Sequence, residues 1–566
     1  MQEIEETLRK AIKKLYNLDF DPEINPAPEN IDADYSSNAP LKLAKELHKS
    51  PMEIAEALNQ ELNASISNPG FLNFNLSDEY LSNAINSQFD DFEQNIKSTD
   101  FAGKTVICEF SDPNPFKVLH VGHLYTSIVG DSISRLFEYA GAKVIRANFG
   151  GDVGLHVAKT MYVLKQKNPD NLTIEDIAKC YVEGTAAYED DENAKNEITK
   201  LNKEIYQINS ANLHDSDLAK LYWRGRELSY DYFDNFYDSI GLKFDKYYPE
   251  STVAELGLKK VEEELEKGVY EKSNGAVIFN GEKYGLHVRV FINKEGVPTY
   301  EAKDVGLIFT KWNDYHFDKS VVITGSEQLE YMKVVLKSVE QYAPELVERT
   351  NHLTHGLVKL PGNIKMSSRK GNFLKAVDIL DLIKDELKNT YNSSDKKVSL
   401  AATKYAFLKY KMGGNIIFDP KESVKMTGNS GPYLLYSCVR AKKILASANN
   451  AFEEHISRRG KYGATEARDD GTEGAFRKSI IADSERILMK KITEYKLELE
   501  EAVSEMAPHK VANYLYELAQ SFSRFYENCP VVGSSEESER LKLVKVYLDT
   551  MTHGLNILGI EIPEEM

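Results

Sequence analysis

The stretch Phe110–His123, F-S-D-P-N-P-F-K-V-L-H-V-G-H, constrains the fold of this chain more than any other. A strand-like run, Lys104–Glu109, precedes it, and a helix-like run, Leu124–Tyr139, follows. A second strand-like run then spans Lys143–Asn148. Strand, helix and strand in this order predict a β-α-β unit of a parallel sheet, with His120 and His123 where the first strand hands over to the helix. Ligands of open parallel sheets bind at the carboxyl ends of the strands, and a helix N-terminus favours anions. Two imidazoles one turn apart there can donate to phosphate oxygens, and Gly122 between them lets a nucleotide approach closely. By itself the pair could equally be no more than a helix cap.

A second stretch narrows the choice. Lys365–Gly371, K-M-S-S-R-K-G, lies between a strand-like run, His352–Leu360, and a helix expected from about Val377. A Lys/Ser/Arg loop suits a triphosphate whose charge rises as pyrophosphate leaves, though alone it could be a solvated basic loop. The two motifs, in this order within one α/β frame, resemble the two signatures of class I aminoacyl-tRNA synthetases.

Bulk properties agree with such an enzyme. A chain of 566 residues is long enough for several domains. No run approaches membrane-spanning length, and the charged start M-Q-E-I-E-E-T-L-R-K carries no secretory signal, so the cytoplasm is the expected compartment. Cys108, Cys180, Cys438 and Cys529 are too dispersed for a zinc site or a disulfide framework. The net charge of −18 argues only against indiscriminate RNA binding, because residues 1–100 hold 19 acidic and 8 basic residues and so carry most of it.

Residues 1–100 read as a separate module. Arg9, Lys10, Lys13 and Lys14 fall on a first helix, Pro51–Leu62 on another, and N-P-G-F-L-N-F-N-L (Asn68–Leu76) reads as a turn and strand. A module ending in this way resembles the N-terminal addition of arginyl-tRNA synthetases, which contacts the tRNA elbow. The four basic residues could also be ordinary surface. Residues 101–390 form the expected catalytic frame. Ser111, Pro113, Asn114, Lys117, His120, Gly122 and His123 match the longer signature of the arginine family, with Asp112 where a serine is usual. Gly151-Asp152-Val153-Gly154 resembles the family's G-D-W-G with valine for tryptophan, and Thr299–Asp304 (T-Y-E-A-K-D) resembles its T-Y-x-x-[RK]-D. Residues 160–240, charged and helical in pattern, read as an insertion between the halves of a split nucleotide-binding fold. From 391 to 566 the pattern is helical, broken at 448–480 by an aperiodic Gly/Asp/Glu/Arg-rich stretch read as a mobile surface loop. This last region resembles the helical anticodon-binding domain of the same family.

The resemblance therefore implies an α/β protein. It would have a Rossmann-like class I catalytic domain, an N-terminal α+β tRNA-binding module and a C-terminal all-α anticodon-binding domain. It implies ligation of L-arginine to tRNA(Arg) through arginyl-adenylate, with ATP as co-substrate, Mg2+ arriving with the ATP, no protein-bound zinc or other metal site, and a monomer. His120, His123, Lys365, Ser367 and Arg369 would be catalytic, and Lys117, Gly122 and Met366 would join His120, His123 and Lys365 around ATP. Ser368 stands where many class I enzymes carry a second lysine, so Arg369, Lys370 or Lys359 would supply that charge. Glu250, Tyr300 and Asp304 would hold the guanidinium, whose planar fork matches carboxylates. Glu109, Ser111, Asn114, His120 and Gln328 would hold the α-amino and carboxylate end. Tyr433, Tyr436, Arg440 and Lys443 recur at three- and four-residue spacing, either as core packing or as a platform for unpaired bases. The rival readings are a class I synthetase of another specificity, a tRNA-binding paralogue without charging activity, and a small-molecule nucleotidylyltransferase. The last shares the histidine motif but has no use for a helical RNA-binding domain.

Overall fold

A computed structural model describes residues 2–28, 30–361, 374–459 and 481–566, apart from the side chains of residues 2, 3 and 449–459. The chain divides into two compact units. One comprises Met1–Asn95, Phe452–Lys496 and Ser521–Tyr547; the other comprises Ile96–Ala451, Leu497–Gln520 and Leu548–Met566.

The second unit is built on five strands: β1 (Thr105–Glu109), β2 (Lys143–Gly150), β3 (Lys246–Pro249), β4 (Lys319–Gly325) and β5 (Thr350–His355). All pair in parallel in the order β5-β4-β1-β2-β3. β1, T-V-I-C-E, is buried along nearly all its length, which is why it reads as a continuous apolar run rather than an alternating one. Helix α1 (Val121–Tyr139) crosses from β1 to β2. The order reverses between β1 and β4, and such a switch point opens a crevice at the carboxyl ends of the strands.

Four helices, α2 (Leu155–Lys167), α3 (Ile174–Asp190), α4 (Glu192–Ser210) and α5 (Asp217–Ser239), form the charged block expected near 160–240. They connect β2 to β3, so the block lies inside the first half of the sheet rather than between the halves. The halves are joined instead by α6 (Glu250–Glu266), an antiparallel three-stranded sheet (Glu271–Ser273, Ala276–Phe279, Arg289–Ile292) and α7 (Tyr300–Tyr315). Val153 is fully buried in the core of the helical block with Val157, Met161 and Tyr222, which accommodates the departure from tryptophan.

Helix α8 (Gly431–Arg459) carries the tyrosine and basic run and continues through residues 448–459, correcting the expectation of a loop there. Residues 460–480 lie outside the described part. Arg135 on α1 donates to the Asn556 carbonyl (3.2 Å), tying the last residues of the chain to the catalytic frame, and Lys404 donates to the Gly559 carbonyl (2.6 Å) within the C-terminal helical region.

In the first unit, Leu8, Ile12, Leu43, Ile54, Leu58 and Leu72 form a core between helices and a four-stranded antiparallel sheet. Asp34 receives both Nη1 (3.0 Å) and Nη2 (2.6 Å) of Arg486, a bidentate fork that clips the N-terminal sheet to the helix Asp483–Thr493. Arg9, Lys10, Lys13 and Lys14 do fall on the first helix, Gln2–Tyr16. Each is paired with an acid of the module: Glu5 and Asp21, Glu6, Asp19 and Glu61 respectively. Their charge is thus met locally, which favours the plain-surface reading.

Candidate active site

A cavity of about 680 Å³ opens at the carboxyl edge of the parallel sheet. Every strand supplies a lining residue at or just past its end: Glu109, Gly151, Glu250, Gly325 and His355. The loop after β1 bends sharply into it, with Ser111 (φ 73°), Asp112 (φ 50°) and Phe116 (φ 65°) in the left-handed region. Such a conformation costs most residues free energy, and aspartate is among those that tolerate it. Asp112 also accepts the Phe149 amide at 2.8 Å, so it fits a position where the family usually has serine. Ser111 Oγ meets the Tyr237 hydroxyl at 2.8 Å, and Asn114 Oδ1 accepts the Gly151 amide at 2.8 Å.

Two histidines stand in the lining. His120 is the N-cap of α1, and its Nδ1 accepts the Gly122 amide at 3.1 Å; His123 Nδ1 accepts the His120 amide at 3.1 Å. The rings stack with centroids 3.7 Å apart. A neutral imidazole whose Nδ1 is an acceptor carries its proton on Nε2, so both rings are Nε2–H donors. Burial, aided by the Lys117 charge, lowers the His120 pKa to about 4; burial and then His120 hold His123 well below the usual range. The pair is neutral at physiological pH. Gly122 is required by this packing, since a Cβ there would lie 2.8 Å from His120 Cε1.

The same cavity gathers carboxylates. Glu109 Oε2 receives the Lys311 ammonium at 2.5 Å, and Glu250 Oε2 receives that of Lys303 at 2.6 Å; all four side chains are buried. Burial pushes the Glu250 carboxyl up, opposed by Lys303. Asp304 differs, for it takes a hydrogen bond from the Tyr331 hydroxyl and has no ion-pair partner among the described residues. Burial pushes its carboxyl up to about 8 despite that bond, with the charges of Glu109, Glu250 and Glu301 adding to the shift. Arg289 lies 3.6 Å from Glu301 with its guanidinium over the Tyr331 ring, so one further acid of the lining is already met.

All eight residues expected around arginine line this one cavity: Glu109, Ser111, Asn114, His120, Glu250, Tyr300, Asp304 and Gln328. Tyr300 is 54% exposed, at the N-terminus of α7. Gly122 and His123 line the cavity too, but Lys117 does not; its ammonium sits over the Tyr181 ring at 4.7 Å. Lys365, Met366, Ser367 and Arg369 lie outside the described residues. Both flanks of that segment are at the cavity, where Lys359 and Leu374 line the wall. The Leu374 carbonyl accepts the Val121 amide at 3.0 Å, fastening the segment's downstream end to the histidine motif. On α8, Tyr436 and Lys443 are exposed, whereas Tyr433 is half-buried against Tyr516. Arg440 stacks on Tyr436 and donates to its hydroxyl at 2.8 Å.

Lys303, Lys311, Tyr331 and His355 were missed by sequence reasoning. Of these only Lys303 had a local signal, inside T-Y-E-A-K-D.

The arrangement combines acids that can meet a cationic side chain with neutral imidazole donors that can meet phosphates. No group of three His, Cys, Asp or Glu side chains that could hold a metal occurs among the described residues. The four cysteines are buried and free of disulfides. The histidine pair offers imidazole donors rather than the oxygen ligands magnesium prefers, so a magnesium ion beside it would be held by phosphates and water. No helix of the described residues is long and apolar enough to cross a membrane.

Comparison with known proteins agrees along the whole chain. Residues 87–419 match the family of class I tRNA synthetases (R), catalytic domain. Residues 434–566 match the DALR anticodon binding domain, and residues 2–76 the arginyl tRNA synthetase N-terminal domain. The chain is 28% identical to the arginine–tRNA ligase of Crocosphaera subtropica, covering 100% of this chain and 98% of that one. It is also 28% identical to that of Clostridium perfringens, covering 98% and 97%. The arginyl-tRNA synthetase structure from Thermus thermophilus superposes over 100% of both chains with a TM-score of 0.76 at 22% identity, a likeness of fold. Since the catalytic-domain match alone takes in more than half of the sequence, the chain belongs to the class I arginyl-tRNA synthetase family.

Proposed function

We propose that the chain ligates L-arginine to tRNA(Arg) as a cytoplasmic monomer and that the acids and the imidazoles of its cavity divide the work. The observation that carries this reading is one cavity lined both by a cluster of acids and by two Nε2–H imidazoles. In the first step an oxygen of the arginine carboxylate attacks the α-phosphorus of ATP and the bond to pyrophosphate breaks. No side-chain nucleophile is needed, so catalysis rests on positioning and on stabilising charge at phosphorus. His120 and His123 donate to phosphate oxygens, Gly122 gives the nucleotide close access, and magnesium comes with the triphosphate. Lys365, Ser367 and Arg369, with Met366 beside the nucleotide and Lys117 as a further cation, are assigned here on their motifs alone. Asp304 and Glu250 face the guanidinium, Tyr300 covers it, and Glu109, Ser111, Asn114 and Gln328 hold the α-amino and carboxylate end. In the second step the 2′-hydroxyl of the terminal ribose attacks the carbonyl carbon of the adenylate and AMP leaves.

The test is ATP–pyrophosphate exchange with each amino acid in turn, with tRNA present. Exchange with arginine alone is expected. Equal exchange with lysine would remove the guanidinium assignment.

The RNA-facing proposal is Tyr436 with Arg440. An exposed aromatic beside a cation can stack on an unpaired base and meet its phosphate. Replacing both with alanine should raise the tRNA KM about tenfold, since stacking is worth about 1–3 kcal/mol per base, while the arginine KM stays put. Circular dichroism checks the fold. An unchanged tRNA KM would return the pair to plain surface.

A further inference from the structure

Glu250 is fixed from behind by a chain of contacts that begins in the helical block. Lys303, 3% exposed, donates to Glu250 Oε2 at 2.6 Å and to the Tyr206 hydroxyl at 2.9 Å. Tyr206 belongs to α4, and Lys303 also lies against the Tyr206 and Tyr300 rings at 5.5 and 5.1 Å. A second clamp from the block acts one residue on. Arg226 of α5 pairs with buried Asp152 at 3.0 Å, and Asp152 accepts both the amide (3.0 Å) and the hydroxyl (2.8 Å) of Ser251 at the start of α6. With Oε2 taken, Glu250 keeps Oε1, which lies beside Gly151 of the cavity wall; a Cβ on Gly151 would stand 3.0 Å from it.

We propose that Tyr206 and Lys303 are positioning residues that set the direction of Glu250 Oε1, so that the helical block governs how well the pocket grips a planar guanidinium. The proposal rests on the reading of Glu250 as a guanidinium ligand. Lys303 cancels the charge of Glu250, leaving Asp304 as the carboxylate whose counter-charge the substrate supplies. A guanidinium needs acceptors fixed in its plane, and an acceptor free to swing grips it less well. Without Lys303, Glu250 would be a buried anion lacking its partner, free to turn or to take up a proton. Tyr206 holds the ammonium from the far side, so losing its hydroxyl loosens the same acceptor by a smaller amount.

The experiment compares Tyr206→Phe, Lys303→Met and Glu250→Gln in pyrophosphate exchange, titrating arginine and ATP separately. Tyr206→Phe should raise the arginine KM about three- to tenfold, the worth of one hydrogen bond, with kcat and the ATP KM within about twofold of wild type. Lys303→Met should raise it further; should that variant fail to fold, Tyr206→Phe, which removes one oxygen from a half-buried ring, decides. If Glu250→Gln raises the arginine KM and Tyr206→Phe does not, the relay is wrong and the pocket assignment stands. If Glu250→Gln itself leaves the arginine KM unchanged, the pocket assignment falls and the relay falls with it. Parallel changes in kcat and both KM values for Tyr206→Phe would mean a purely structural role, and would overturn the proposal.

Discussion

Arginyl-adenylate formation by the His123→Ala chain should run about 10²- to 10³-fold slower than wild type in single-turnover assays, with arginine affinity changed less than about threefold. His123 Nδ1 is occupied by the His120 amide, which leaves Nε2–H as its one donor. Its ring also supports the His120 ring at 3.7 Å, so alanine removes one donor and loosens the other. The loss in the double variant with His120→Ala should therefore be clearly less than the product of the two single losses. The pH dependence separates neutral from charged donors. Burial lowers the His120 pKa to about 4 and holds His123 well below the usual range, and each Nδ1 accepts a backbone amide, so both rings are neutral donors in the empty site. At saturating arginine and ATP the activation rate should show no fall as pH rises through 6.5. A fall there would mean an imidazolium does the work, and an activation rate within about twofold of wild type for His123→Ala would take the residue out of the active site.

What could be read in advance depended on how far apart the cooperating residues lie. His120, Gly122 and His123 share one helix start, so their spacing marked them as candidates at once, although it took the second motif to set them apart from a plain helix cap. The partners that tune the carboxylates do not. Lys311 meets Glu109 across 202 positions and Tyr331 meets Asp304 across 27, and before folding a lysine or tyrosine of a helix looks the same whether it faces water or a carboxylate. His355 similarly enters the cavity only because β5 ends level with β4.

The fold was legible to a similar degree. The helical block announced itself by its charged periodicity, but its place in the sheet depended on β3. That strand is K-Y-Y-P, an edge strand of four residues ending in proline, with too little pattern to distinguish it from a loop. Residues 448–459 lack an obvious apolar stripe and read as a break. They are helical because they extend a helix already nucleated at Gly431, where each added residue needs only propagation.

Replacing Asp304 with asparagine should raise the arginine KM tenfold or more and leave the ATP KM near wild type, because a charge-assisted hydrogen bond is worth about 1.5–3 kcal/mol. Of the two carboxylates proposed to face the guanidinium, Glu250 is already paired with Lys303, whereas Asp304 has the Tyr331 hydroxyl and no cation among the described residues. The substrate supplies what is missing. With its carboxyl pushed up to about 8, Asp304 is mostly protonated in the empty site at pH 7, and a bound guanidinium would favour the ionised form and so release a proton. Arginine should therefore bind more tightly as pH rises, by up to about tenfold per unit below 8, and level off above it. Calorimetry in two buffers of different ionisation enthalpy reads the proton release directly, and Asp304→Asn should abolish both effects. Stability runs the other way. The folded chain retains a proton that the unfolded chain loses near the ordinary 3.8, so stability falls as pH rises from about 4 to about 8. Asparagine, which cannot ionise, should escape that loss and give a Tm at pH 8 no lower than wild type. An arginine KM indifferent to both pH and the substitution would place the carboxylate outside the pocket, and the arginine assignment would then rest on family membership alone.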